Sequence, residues 1–190
     1  MTISLPIDPE ANALLNRSPL ALLIAMLLDQ QVPLERAFAA PYELARRLGH
    51  DLDAEELASY DPDALVAVFG ERPALHRYPK AMAGRVQALS RAVLEGYDGE
   101  AQRVWTEAAS GRELLRRVGA LPGFGDQKAR IFVALLGKRL GVRPEGWREA
   151  AGHYGDDGAH RSVADIVDEE SLGRVRAYKQ EMKAAARARA

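Results

Sequence analysis

The chain has no cysteine among its 190 residues. That excludes disulfides, a thiolate nucleophile and any cysteine-ligated cluster, iron–sulfur included. Aromatics are few, 6% of residues, and the net charge is only −1 at pH 7. Long hydrophobic runs are missing too: the apolar stretch 21–28 is too short to span a bilayer. The first residues, MTISLPIDPEANALL, carry neither a basic stretch nor an apolar core, so no signal peptide is expected. These absences point to a cytoplasmic chain with no membrane association. No segment shows sustained β-branched alternation bounded by turns, which argues against strands. P-loop, Rossmann and nucleophile-elbow motifs are absent.

What is present is helical and moderately apolar. Hydrophobic residues make up 47% and charged residues 28%, enough for one substantial core or one domain of two lobes. Ser18-Pro19 and Asp61-Pro62 are cap-plus-proline starts. Helical periodicity and stop signals predict helices over 20–30, 41–48, 53–59, 63–69, 79–94, 101–108, 111–118, 126–140, 144–151 and 168–188. Residues 152–162, rich in Gly, Asp and His, read as a mobile loop. There is no repeat and no low-complexity linker.

Charge is unevenly distributed. Residues 112–148 hold nine Lys/Arg and three acids, a net of +6, whereas residues 1–80 hold seven basic and twelve acidic residues, a net of −5. A basic segment in an otherwise acidic chain is the local footprint of a phosphate-binding site, or a solvated helical surface. That segment contains Leu121-Pro122-Gly123-Phe124-Gly125-Asp126-Gln127-Lys128-Ala129. The two glycines permit a sharp reversal between helices 111–118 and 126–140. The second helix then begins with free N–H groups and a favourable dipole, which suit a phosphate oxygen.

This hairpin resembles the helix-hairpin-helix of the HhH-GPD DNA glycosylases, the endonuclease III, adenine-mismatch and alkyl-base enzymes. The resemblance extends to Leu22-Leu23-Ile24-Ala25-Met26-Leu27-Leu28-Asp29-Gln30-Gln31, similar to the family's buried helix with its polar Ser-x-Gln-like end. It also takes in 63–97, with a Tyr-x-x-Lys-Ala-like turn leading into a long helix, and so covers roughly residues 18–147. It implies an all-α, two-lobed fold as a single unit over 1–190. Residues 31–118 would form a helical barrel, 111–140 the hairpin, and 1–30 with 141–190 the second lobe. The implied function is base-excision repair of double-stranded DNA holding a damaged or mismatched base, by a cytoplasmic monomer that would be nucleoid-associated in a prokaryote.

The resemblance also assigns roles. Gly123, Phe124, Gly125, Gln127, Lys128 and Arg130 would contact the DNA backbone. Gln31, with Gln30 beside it, would fill the hole left by an extruded base. The carbonyls of Gly119, Leu121 and Phe124 would hold a K+ or Na+ ion, and no other cofactor is implied. The family's Schiff-base lysine falls on Gln127, which implies a monofunctional enzyme. Lys128, about 100° further round the helix, reads as a phosphate ligand. The family's catalytic Asp, about twenty residues past the second glycine, falls on Glu145, with Asp29, Asp156 and Asp157 in reserve. Asp29, Trp147 and Tyr154 are candidates for a base pocket, whereas Trp105 and Phe132 read as core. The spacing of His153, Asp156, Asp157 and His160 matches no zinc pattern. Two functions follow: a monofunctional DNA N-glycosylase, or a non-catalytic helix-hairpin-helix protein that recognises DNA by shape or damage.

Overall fold

Helix-start signals written in the sequence are used along the whole chain. In the computed structural model, which describes residues 2–188, Asp8 caps α1 (Pro9–Arg17) and Ser18 caps α2 (Pro19–Leu28), each followed by proline. Next come α3 (Leu34–Leu48), α4 (Ala54–Ser59) capped by Asp53, α5 (Pro62–Gly70) capped by Asp61, and α6 (Pro79–Tyr97). The short α7 (Arg103–Thr106) leads to α8 (Gly111–Gly119), capped by Ser110, and α9 (Asp126–Leu135), which runs into a π turn, Leu136–Leu140. After α10 (Trp147–Ala151) come two 3-10 turns, Gly152–Gly155 and Val163–Asp165, and finally α11 (Glu169–Ala188). Among the described residues there is no strand. The chain is all-α.

One helix, α2, organises the first group because it is the most completely buried. Every residue of α2 from Leu20 to Leu28 is buried, and α2 packs on α1, α3 and α6. An all-apolar helix of this kind has no stable place except inside a protein. The long α6 then receives α4 and α5. In the second group α9 packs on α8, α10 and both 3-10 turns, and α11 rests on the turn Val163–Asp165. One continuous core runs through both groups, from Ile3 to Val175. No single helix among the described residues is long and apolar enough to cross a membrane.

Several elements differ from the sequence reading. Helix α1 was not foreseen, although Asp8-Pro9 repeats the signal seen at 18 and 61. It packs on α2 and α3, so the expected pairing of 1–30 with 141–190 is not the main packing of the N-terminus. Asn12 and Asn16, one helical turn apart, fold the preceding strand-like segment onto α1 by bonding both the N–H and the C=O of Leu5 and Ile3. Helix α3 begins at Leu34 rather than 41 and carries Pro41 in its interior. The buried face of Leu34, Ala37, Phe38, Leu44 and Ala45 outweighs the lost backbone bond. Residues 152–162, read as a mobile loop, are tied down. Arg161 bonds the His153 carbonyl and Asp156, and Ser162 and Asp165 form a capping box. Met1 and residues 189–190, the ends of the expected second lobe, lie outside the described residues.

Candidate nucleic-acid interface

The hairpin is held from inside by aromatic rings. Phe124 is buried and meets Phe132 edge-on at 5.9 Å, and Phe132 meets Trp105 in the same way at 5.9 Å. Phe124 therefore offers only its backbone to a ligand. The two glycines do different jobs. Gly123 has φ +83°, and a Cβ there would lie 2.2 Å from Leu27 Cδ1, so this position anchors the turn on α2. Gly125 has an ordinary φ of −74°, caps α9 without a side-chain bond, and faces open space. Its bare surface lets a large group approach the first amides of α9. The Asp126 carboxylate at this end is turned to Arg130, 2.9 Å away.

A third glycine, Gly111, is as tightly constrained as Gly123. A Cβ on Gly111 would sit 2.4 Å from the carbonyl carbon and oxygen of Gly146, and the Gly111 N–H donates to the Glu145 carbonyl at 2.7 Å. The first hairpin helix is thus locked to the 145–147 turn. No local pattern marks this glycine, because its partner is 35 residues away.

The end of α2 is clamped to the hairpin. The Lys128 ammonium donates to the carbonyls of Met26 at 2.7 Å and Leu27 at 3.1 Å, with that of Asp29 at 3.4 Å. Lys128 therefore caps a helix C-terminus, and its charge is committed inside the protein rather than held out for phosphate. Burial lowers its pKa, with the Asp29 charge opposing that shift and Arg85 adding to it. Asp29 beside it is pushed above the usual carboxylate range by burial, with Lys179 and Lys128 pulling it back and Glu35 raising it further.

His76 fixes the other side of this turn. Its Nδ1 accepts the Tyr78 N–H at 3.1 Å, so Nε2 carries the proton and donates to the carbonyls of Leu28 at 3.1 Å and Gln30 at 3.0 Å. The ring is buried, which lowers its pKa and keeps it neutral. Gln30 bonds the Leu27 carbonyl and accepts from Arg85 at 2.6 Å. Gln31 is left exposed in a left-handed conformation, φ +57°. A non-glycine residue held there is strained, and such strain collects at functional sites. Exposed cations lie just before and along the start of α6: Arg77, Lys80 and Arg85, the last bonded to Gln30. Beyond Lys80 in the Tyr-x-x-Lys-Ala-like turn, nothing local marks Arg77, Arg85 or His76, since only the fold brings 76–85 to the end of α2.

The remaining candidates separate around α9. Gln127 donates to the Tyr154 hydroxyl at 2.9 Å. Both line a cavity of about 680 Å³ with Arg130, His153, Tyr178, Lys179 and Met182. Arg130 also bonds the Ala150 carbonyl at 3.0 Å. Glu145 is exposed and lies in a separate depression with Arg112, Leu115, Arg130 and Glu149. The structure does not bring it together with Gln127 or Gln31. Trp147 is sealed: its ring blocks any Cβ on Gly137 at 2.3 Å and lies under the guanidinium groups of Arg143 and Arg148. Asp156 and Asp157 are paired with Arg161 and Arg148.

For the hairpin carbonyls, Leu121 accepts the Phe124 N–H at 3.1 Å within the turn, which leaves it one lone pair for a cation. Among the described residues no group of three or more His, Asp or Glu is placed to hold a metal ion. No family model, curated protein or solved structure matches this chain.

Proposed function

We propose that this chain binds double-stranded DNA, gripping one strand through the bare amides at Gly125 and the start of α9 and testing the base stack with Gln31. One observation carries the reading. Lys128, with Leu27 seated on Gly123, fixes the end of α2 to the hairpin, so an anion-binding helix start and an exposed, strained Gln31 belong to one rigid unit. A phosphate grip fixes register on the duplex, and a side chain entering the stack reads its deformability. The exposed Arg77, Lys80 and Arg85 add the positive charge that a backbone requires. A two-lobed HhH-GPD arrangement is part of this proposal, with the cavity at Gln127 and Tyr154 lying wholly within the second helix group. The expected occupant is a distorted, damaged or mismatched duplex.

The position of Glu145 favours recognition without base release. A carboxylate that stabilises a sugar cation must face the extruded nucleotide, and Glu145 lies in another depression. A second reading, a monofunctional N-glycosylase, is favoured by Asp29, a partly buried carboxylate between Lys128 and Lys179 and adjacent in sequence to the Gln30-Gln31 pair. The test is a panel of duplexes carrying lesions, mismatches and abasic sites, read by fluorescence anisotropy and by base release. Binding that prefers distorted duplexes, with no released base, supports the first reading. Base release abolished by Asp29→Asn supports the second. Failure to bind any duplex sinks both.

A further inference from the structure

The second half of α11 has little protein around it. Its buried residues end at Val175, and from Arg176 to Ala188 only Tyr178 is more than slightly covered. Yet this half is built to stay helical, with Ala184, Ala185, Ala186 and Ala188 in its last turns. Between 174 and 188 it carries five Lys/Arg and one acid, Glu181. At 100° per residue, Arg176, Lys179, Lys183 and Arg187 fall within an arc of about 80°, with Glu181 outside it. Tyr178 and Met182 lie to one side of the stripe and, with Lys179 at its edge, line the cavity shared with Gln127 and Tyr154.

The basic stripe faces the other helix group. Arg176 pairs with Glu35 at the start of α3, at 2.5 Å, and Lys179 is close enough to Asp29 to pull its pKa down. Beyond Lys179 the stripe continues without a partner. Among the described residues Lys183 and Arg187 have neither an ion pair nor a hydrogen bond. From Lys179 to Arg187 the helix rises about 12 Å. One DNA strand places a charge every 3.4 Å of axis or so, so this arm spans three or four phosphates.

We infer that the outer half of α11 is a second DNA contact, a basic arm that follows the phosphates leading away from the hairpin grip. This rests on the DNA-binding reading above. Charge complementarity selects the occupant. Lys183 and Arg187, the outer part of the stripe, have no acidic counterpart among the described residues, and beside the stripe stand only Tyr178 and Met182 as large apolar groups, too few to seat the helix in a lipid surface.

The test is the salt dependence of duplex binding in Lys183→Ala/Arg187→Ala, whose side chains are exposed. The log–log salt slope should shrink by about 1.8, and affinity at about 0.15 M salt should fall about 30-fold on every sequence alike. The exchange Lys183→Arg/Arg187→Lys should retain wild-type binding. An unchanged slope in the alanine variant, while Gly125→Val still abolishes binding, overturns the arm and leaves the hairpin grip standing. If Gly125→Val binds normally, the grip itself is wrong. If the wild type prefers phosphatidylserine vesicles to duplex, the arm is a lipid contact and the inference falls.

Discussion

The ammonium of Lys128 donates to the Met26 carbonyl at 2.7 Å, and through that bond the second hairpin helix closes the end of the most buried helix in the protein. The lysine is structural, and its charge is spent on helix carbonyls. Lys128→Ala should therefore cost about 2–3 kcal/mol, the range for a bond to a charged donor with acceptors left unpaired. A urea titration measures this. The salt slope of DNA binding should stay within error of wild type. A slope reduced by about 0.9 would show that Lys128 is a phosphate ligand after all.

Gly123 and Gly125 should respond in opposite ways to the same change. Gly123→Ala forces a β-carbon against Leu27 and into a left-handed backbone. It should cost about 1–3 kcal/mol and lower the melting temperature. Gly125→Val meets open space at an ordinary φ. It should leave the melting temperature nearly unchanged while removing most DNA affinity. Thermal denaturation and anisotropy on both variants separate folding from grip.

The stability of the chain should carry a signature of Asp29. Burial raises its carboxyl above the ordinary 3.8. A group raised in the folded state contributes stability that is complete below the unfolded pKa and lost as pH rises through the folded one. Asp29→Asn should thus be more stable than wild type at pH 7, and the difference should vanish as pH falls below about 3.8. Urea midpoints from pH 3 to 7 provide the test. A less stable variant at pH 7 would mean that Lys128 and Lys179 outweigh burial.

Glu145→Gln should be close to silent. The residue is exposed, and surface changes of this kind stay within about 0.5 kcal/mol. Duplex affinity should rise slightly as a negative charge is lost. If a lesion is found that the wild type releases and this variant does not, Glu145 regains the role that its sequence position implies.

Gly111→Ala should be among the most damaging single changes. The added methyl meets backbone atoms of Gly146 and Trp147 at 2.4–2.5 Å, and backbone cannot move aside as a side-chain tip can. A loss of about 3 kcal/mol is expected, with the 145–147 turn detached from α8. Hydrogen exchange at Trp147 would report that detachment directly.

The sequence alone determined the all-α class, most of the helix starts and the hairpin. Those depend on local chemistry: caps followed by proline, apolar residues at helical spacing, and Gly-Phe-Gly between two periodic runs. Local rules also misled where packing overrode them, as at Pro41, which a helix start would normally claim but which the buried face of α3 absorbs. Only the tertiary structure decided which charges are free. Lys128 and Arg130 look alike in the chain, yet Lys128 caps α2 and Arg130 spans from Asp126 to Ala150. It also decided that Glu145, at the expected distance along the chain, lines a different depression from Gln127, with Arg130 of α9 shared by both. Distance along the sequence fixes spacing on one helix. The side of a neighbouring helix to which a residue is delivered depends on contacts such as Gly111 with Gly146, made between residues that no local pattern connects.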